Sequence, residues 1–144
     1  MNKIDYMNLA IAEAKKCVRT GDVPVGAVVV CDGKVIASAH NKREKTHKVS
    51  AHAEILAIEK ANKIKKDFRL DDCDIYITKE PCLMCMGATL SSRMRKIYFG
   101  ASDKRFGTKE LAKENNFNHK CDIEGGIQKT ECEELLKTFF RSIR

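Results

Sequence analysis

A histidine, a glutamate and two cysteines are spaced so that they could hold a metal ion and move a proton. His52 and Glu54 are separated by one residue, and Cys82 and Cys85 form a close pair directly after Pro81. One imidazole and two thiolates are zinc ligands, and three protein ligands leave one position of a tetrahedral zinc open, as in catalytic sites. A nearby carboxylate can act as general acid and base. The pattern therefore predicts a catalytic zinc held by His52, Cys82 and Cys85, with Glu54 as the proton shuttle.

The cysteine pair alone also fits a redox site or half of a zinc ribbon. A ribbon needs a second close pair of cysteines, and the remaining five do not provide one. A thioredoxin-like redox pair does not require His52 and Glu54 upstream. Both halves of the pattern are present, each at a predicted helix start, and together they favour catalytic zinc over either alternative.

The chemistry expected of this site is hydrolytic deamination. Zinc lowers the pKa of a bound water toward neutrality and so provides hydroxide at cellular pH. The hydroxide can attack an amidine-like carbon that bears an exocyclic amine. Glu54 would take the water proton, deliver it to the ring nitrogen and help ammonia to leave.

Two predicted helices must bring these residues together. One covers about 52–64 and begins at His52, and the other begins at Pro81-Cys82 and ends at Ser91 or Ser92. His52 and Glu54 lie about 200° apart around an ideal helix, so a metal above the first turn could meet both. Cys82 and Cys85 share one face of their helix, and its N-terminus stabilises thiolates.

The other elements predict a three-layer α/β/α fold, with one central sheet covered by helices on both faces. Asp32-Gly33 predicts a hairpin, which is antiparallel, while strands separated by helices should be parallel. Gly26 marks either a close backbone approach or a bulge. Thr130 and Glu133 predict a capping box at the start of the last helix. The remaining expected elements are a helix over 3–19, strands over 23–31, 34–39, 73–78, 95–100 and 121–124, an irregular segment over 40–50 and a weakly helical one over 103–115.

Size and cysteine usage predict one reduced domain. The chain has 144 residues, and no apolar run reaches the roughly 20 residues of a membrane helix. The first residues lack the pattern of a secretory signal, so we expect a soluble, cytoplasmic protein. Seven cysteines are an odd number, which argues against a complete disulfide framework. The five outside the predicted site should be buried thiols: Cys17, Cys31, Cys73, Cys121 and Cys132.

An excess of basic residues favours a polyanionic partner. Lys+Arg number 27 against 20 Asp+Glu, a net charge of +7, with clusters over 42–48, 60–69 and 93–96. The last helix ends in Phe139, Phe140 and Arg141, a combination that also suits base stacking beside phosphate. Burial frequencies favour the core for both phenylalanines.

The whole chain resembles the bacterial tRNA-specific adenosine deaminases, a branch of the zinc-dependent cytidine/deoxycytidylate deaminase superfamily. The zinc pattern alone identifies only the superfamily. The Gly-Ala-x-Asp segment that ends at Asp103 and the Phe-Phe-Arg of the last helix make this branch more specific. The matching stretches are 23–28, 51–55, 80–85, 98–101, 118–119 and 139–141.

The resemblance implies a homodimer with one zinc per subunit and a mixed five-stranded sheet of the cytidine deaminase-like type. The implied reaction converts the wobble adenosine of a tRNA anticodon to inosine. Unpaired anticodon-loop bases cost little to flip out of the stack. The implied substrate contacts are Asn41, Val25 and the Ala53 backbone around the flipped base, and Asp103, Phe140 and Arg141 near the neighbouring nucleotides.

Three departures from the family pattern bear on the substrate. Lys48-Val49-Ser50 replaces the usual Asp-Pro-Thr, Lys79 replaces an apolar residue, and 104–107 is unusually basic and aromatic. One alternative is therefore a small-molecule deaminase acting on guanine, cytosine or cytidine. A second is a non-catalytic RNA-binding subunit stabilised by zinc, which would have no need of Glu54.

Overall fold

The computed structural model describes residues 1–113 and 119–143. The helices are α1 (Lys3–Lys15), α2 (Arg43–Thr46), α3 (Ala53–Lys65), α4 (Leu83–Ser91) and α5 (Lys129–Ser142), with 3-10 turns at Lys16–Arg19 and Lys109–Lys113. The strands are β1 (Gly26–Cys31), β2 (Lys34–His40), β3 (Cys73–Lys79), β4 (Lys96–Ala101) and β5 (Asp122–Glu124).

The five strands form one mixed sheet in the order β2-β1-β3-β4-β5. β1 is antiparallel to both of its neighbours, whereas β3, β4 and β5 are parallel. β2 and β3 also run in the same direction, as predicted, but β1 lies between them. The four strands other than β1 therefore point their carboxyl ends to the same edge of the sheet.

Helices cover both faces of this sheet, which confirms the predicted three-layer α/β/α fold. On one face, α3 and α4 pack on a core that includes Val29, Ile75, Ile77, Met86 and Ile97. On the other face, a smaller core around Met7, Val28 and Tyr76 lies under α1 and α5. β1 is buried along its whole length because it contributes side chains to both cores.

Backbone geometry tests two local predictions in the first half of the sheet, the turn at Asp32-Gly33 and the role of Gly26. Asp32 and Gly33 have φ angles of 50° and 75°, as a tight turn between antiparallel strands requires. At Gly26 a Cβ atom would collide with the Ala10 carbonyl oxygen and lie 2.6 Å from the Ala14 nitrogen. Gly26 therefore allows close approach of α1, and the irregularity in the β1–β2 pairing lies instead between Val29 and Val30.

Several predicted boundaries are wrong. The first helix tightens into a 3-10 turn after Lys15, the first strand starts at Gly26 rather than at residue 23, and the 40–50 segment contains the short α2. α5 begins at Lys129, and its N-cap Gln128 makes no side-chain capping bond, so the predicted capping box is absent there. A capping box instead joins Asn2 and Asp5 at α1. Of the weakly helical 103–115 segment, residues 114 and 115 lie outside the described part of the chain.

The prediction that Phe139 and Phe140 belong to the core is wrong for Phe140. Its side chain is 45% exposed, because α5 packs on the sheet only along Cys132, Leu135 and Leu136. Phe139 is half-buried and meets Phe140 edge to face.

All seven cysteines are among the described residues and have free thiols. The five outside the predicted site are buried, as expected. None of the helices in the described ranges combines the length and apolar character required to cross a membrane.

Candidate active site

The predicted catalytic residues meet at one edge of the sheet. Asn41 follows the carboxyl end of β2, Cys82 follows that of β3, and Val25 immediately precedes β1, which runs the opposite way. α3 and α4 both begin at this edge. Crevices outside the carboxyl ends of strands are the usual ligand sites of α/β sheets.

His52, Cys82 and Cys85 converge although they come from two separate segments. His52 and Cys82 are the N-cap residues of α3 and α4, and Cys85 lies in the first turn of α4. The Nδ1 atom of His52 is 3.6 Å from the Cys82 Sγ atom and 3.4 Å from that of Cys85. All three ligand atoms lie within 4.8 Å of one another, which would allow them to bind one metal ion.

Mutual hydrogen bonding already perturbs the protonation of this cluster. The Cys85 thiol and His52 hydrogen-bond to Cys82 and lower the pKa of Cys82 to about 3. The same bond to Cys82, together with burial, raises the pKa of Cys85. The bond to Cys82 raises the pKa of His52. A soft metal bound by thiolates would replace these shared protons, so the donor set fits zinc.

Glu54 lies beside the cluster and is 4% exposed. Its Oε1 atom has no hydrogen-bond partner among the described residues, which is unusual for a buried carboxylate oxygen. Burial raises the pKa of Glu54. An unpartnered buried oxygen beside a predicted metal site is free to exchange a proton with a ligand.

A cavity of about 610 Å³ opens above this cluster. Its wall contains the proposed proton shuttle, two of the three metal-ligand candidates and the predicted base contacts: Glu54, His52, Cys82, Asn41, Val25 and Ala53. Asn41 is held by hydrogen bonds from its Nδ2 to the Val23 carbonyl and from the Arg43 amide to its Oδ1, at 3.1 Å each. Cys85 is fully buried below the cavity.

Of the three remaining predicted substrate contacts, one lines the cavity and two do not. Phe140 lines the cavity together with Phe139 and Ile143. Within the described ranges, Asp103 and Arg141 are not part of its wall. Asp103 forms an ion pair with the wall residue Lys79, Nζ to Oδ2 at 2.8 Å, and Arg141 lies 3.9 Å from Glu134 on the same helix.

The sequence did not identify the wall formed by Thr20, Gly21 and Asp22. Asp22 is 1% exposed and accepts hydrogen bonds at 2.5 Å from the Thr20 hydroxyl and the Glu44 amide. It thereby ties the turn after the first helix to α2. A short polar turn of this kind has no sequence signal that distinguishes it from any other loop.

A second group of potential ligands, Cys31, Asp72 and Cys73, lies at the opposite end of β1 and β3. The ammonium group of Lys65 contacts the Asp72 carboxylate and lies 3.6 Å from the Cys31 sulfur. Because this group already contains its own cation, we interpret it as a structural ion pair with two thiols.

A histidine and two cysteines at adjoining helix N-termini, with a buried glutamate beside them, define the class of nucleobase deaminases. The family model of the MafB19-like deaminases matches residues 1–144, and the chain belongs to this family.

Comparison with individual proteins shows which deaminases the chain is similar to. The chain is 44% identical to the tRNA-specific adenosine deaminase of Bacillus subtilis (strain 168), over 96% of this chain and 89% of that protein. A solved structure from studies of A-to-I editing by tRNA:A34 deaminases at the wobble position of transfer RNA matches with a TM-score of 0.89 at 36% identity, over 93% of this chain and 100% of the other. Guanine deaminase from Bacillus subtilis matches with a TM-score of 0.69 at 31% identity, over 86% and 85%.

Proposed function

We propose that this protein is a zinc-dependent deaminase that converts the wobble adenosine of a tRNA anticodon to inosine. The observation that carries the proposal is the convergence of His52, Cys82 and Cys85 beside the unpartnered Oε1 of Glu54, at the base of an open cavity. The similarity to tRNA-specific adenosine deaminases over nearly the whole chain supports the substrate. A single domain carries the site.

His52, Cys82 and Cys85 would hold the metal, one zinc ion per subunit. When bound, zinc supplies a water molecule that loses a proton near neutral pH. Glu54 would take up a proton at Oε1 and return it to the purine ring nitrogen beside the reacting carbon. Water is consumed and ammonia leaves, so adenosine becomes inosine.

The cavity wall supplies contacts for the base itself. Ala53 is the first residue of α3, so its amide has no acceptor within the helix and can donate to the base. Asn41 keeps one amide hydrogen and one acceptor lone pair after its two loop hydrogen bonds. Val25 offers an apolar surface to the ring. A base must leave its stack to reach these groups, which an anticodon loop allows at low cost.

The basic surface favours RNA over a free base. The net charge of +7 suits a polyanion, and the family resemblance in the last helix extends to Phe140 and Arg141. The chain is also similar to a guanine deaminase, so the small-molecule alternative is tested in the same assay. Because tRNA is the proposed substrate and all thiols are free, we place the protein in the cytoplasm.

We further propose that the protein is a homodimer. Ile64, Phe68 and Leu83, on or beside α3 and α4, are 60%, 52% and 67% exposed. A groove of about 270 Å³ between the two helices has Ile55, Ile58 and Phe68 in its wall. Sedimentation of the wild type and of Phe68→Lys tests this proposal, because a charge in an apolar interface should yield monomers.

The decisive experiment incubates zinc-loaded protein with an anticodon stem-loop that carries adenosine at the wobble position. Free adenosine, cytidine and guanine are assayed in parallel. We expect inosine in the stem-loop alone, with a rate that falls steeply as salt is raised. Turnover of a free base or nucleoside with the stem-loop unchanged would favour the small-molecule alternative, and RNA binding without any turnover would favour the non-catalytic one.

A further inference from the structure

The turn that follows β4 has a fixed conformation. One oxygen of the Asp103 carboxylate, Oδ1, accepts hydrogen bonds from the amides of Arg105 and Phe106, each at 2.9 Å. The Gly107 amide donates to the Asp103 carbonyl at 2.9 Å. These bonds close the turn on itself and fix the course of its backbone.

Glu80 anchors this turn to the segment that carries the metal-ligand candidates. Glu80 is 7% exposed and precedes Cys82 by two residues. Its Oε1 accepts the Asp103 amide at 3.1 Å, and its Oε2 accepts the Lys109 amide at 3.0 Å. A Cβ atom at Gly107 would collide with the same carboxylate, so the turn packs directly on it. The turn therefore keeps a fixed position relative to the cavity.

An aromatic ring and a guanidinium group occupy the exposed side of the turn. Phe106 is 61% exposed, and the Arg105 guanidinium carbon lies 5.1 Å from the centroid of its ring. A single exposed phenylalanine needs no functional explanation. An aromatic ring with an adjoining cation, on a turn that is joined to the cavity wall through the Lys79–Asp103 ion pair, is however the combination on which nucleic-acid bases stack.

Lys79 joins this turn to the cavity. Lys79 is part of the cavity wall. Its ammonium group is 2.8 Å from Asp103 Oδ2, the other oxygen of the carboxylate that accepts the Phe106 amide. Asp103 is the one carboxylate that pairs with Lys79 among residues 1–113 and 119–143. An ammonium group has three hydrogens to donate, so Lys79 can bind a phosphate oxygen without leaving Asp103.

We propose that Lys79 and Phe106 form a subsite for the RNA nucleotide next to the reacting adenosine, with its base stacked on Phe106 and the intervening phosphodiester bound by Lys79. This inference rests on the proposed function and specifies how single-stranded RNA continues out of the cavity. It also gives a role to two sequence departures, at Lys79 and within 104–107, that the general family pattern leaves without one.

The test measures binding of the anticodon stem-loop by protein carrying Glu54→Gln, so that the RNA is not turned over. Phe106→Leu and Lys79→Met are compared with the conservative Phe106→Tyr and Lys79→Arg. Lys34→Met is the matched control, because Lys34 is an exposed lysine at the opposite end of the sheet. Stem-loops with an abasic residue on either side of the target adenosine are bound in parallel.

We expect Phe106→Leu to weaken binding of the intact stem-loop roughly tenfold and to abolish the sensitivity to one abasic position. Lys79→Met should lower the slope of log K against log salt by about 0.7, the contribution of one phosphate contact in a single strand. Phe106→Tyr, Lys79→Arg and Lys34→Met should bind like the parent protein.

Unchanged affinity in Phe106→Leu, or undiminished sensitivity to both abasic positions, would overturn the subsite. Dissociation of subunits in Phe106→Leu with unchanged RNA affinity would do the same, since the ring would then be a protein contact. The deamination assay of the wild-type protein distinguishes failure of the subsite from failure of the proposed function. Inosine formation together with one of these results refutes the subsite alone, whereas absence of inosine refutes the proposed function and the subsite with it.

Discussion

The Nδ1 atom of His52 lies 3.4 Å from the Sγ atom of Cys85, although the two residues are 33 positions apart in the chain. The distance is short because α3 and α4 start at the same edge of the sheet, each directly after a segment that follows a strand running toward that edge. The metal-ligand candidates are thus fixed by backbone topology, with few adjustable side-chain angles.

Replacing a metal-ligand candidate should remove zinc. We expect Cys85→Ser to reduce zinc from about one ion per chain to nearly none and to abolish deamination, because three ligands cannot be reduced to two without losing the site. Metal content measured after gel filtration checks this expectation. Cys121→Ala, which removes a buried thiol outside the site, should keep its zinc. Full zinc content in Cys85→Ser would show that the metal is bound elsewhere.

Glu54→Gln should separate catalysis from folding. We expect kcat to fall by about 10²–10⁴ because the amide cannot shuttle a proton, while zinc and RNA binding persist. The free energy of unfolding should stay equal or rise, since Oε1 has no hydrogen-bond partner among the described residues and the variant no longer buries an ionisable carboxyl group. Single-turnover kinetics and urea unfolding measure the two effects. A variant that retained wild-type kcat would exclude Glu54 from the chemistry.

Gly26→Ala should destabilise the protein by about 1–3 kcal/mol, the usual cost of forcing extra atoms into a packed interface. The added methyl group would meet the backbone of α1 at Ala10 and Ala14, which cannot rotate away. Gly87→Ala is the matched control, because its added Cβ would have no atom within 4 Å among residues 1–113 and 119–143 apart from its chain neighbours and its own helix backbone. That substitution should stabilise by about 0.5–1 kcal/mol through helix propensity. Equal stabilities of the two variants would argue against the close packing of α1 on β1.

Glu124 should stabilise the protein in a pH-dependent way. It accepts hydrogen bonds from Lys3 at 3.0 Å and from Lys96 at 3.3 Å, which hold its pKa below the ordinary value of 4.5. A lowered folded-state pKa means that this contribution is fully present above about pH 4.5 and is lost as the pH falls through the lowered value. Glu124→Gln should therefore be less stable than wild type at pH 7 and equal to it in strong acid. Urea unfolding at several pH values and low salt provides the comparison, and a difference that persisted in acid would point to another cause.

Elements with strong local signals were predicted well. The Asp32-Gly33 hairpin, the strand before Cys82 and the helices that begin beside His52 and Cys82 each have turn residues or apolar periodicity within a few positions. The last helix was predicted with the wrong cap. Thr130 and Glu133 match a capping box, but the helix begins two residues earlier than that cap implies, at Lys129 after Gln128. Phe140 was assigned to the core from its residue type, but burial depends on which stripe of α5 meets the sheet.

The sequence by itself determined the chemistry of this protein. It contains one imidazole, two thiols and a carboxylate at a spacing that is typical of a catalytic zinc site. It also determined the layer architecture, since periodicity and turn residues are local properties of the chain. Only the tertiary structure decided that β1 separates β2 from β3 and that Gly26 allows close approach of α1. It also decided that Glu54 Oε1 has no partner within the described part of the chain, and that Lys79 and the Phe106 amide both bind the carboxylate of Asp103. These relationships depend on contacts between residues distant in sequence, whose energies arise from packing and burial and therefore exist only once the chain has folded.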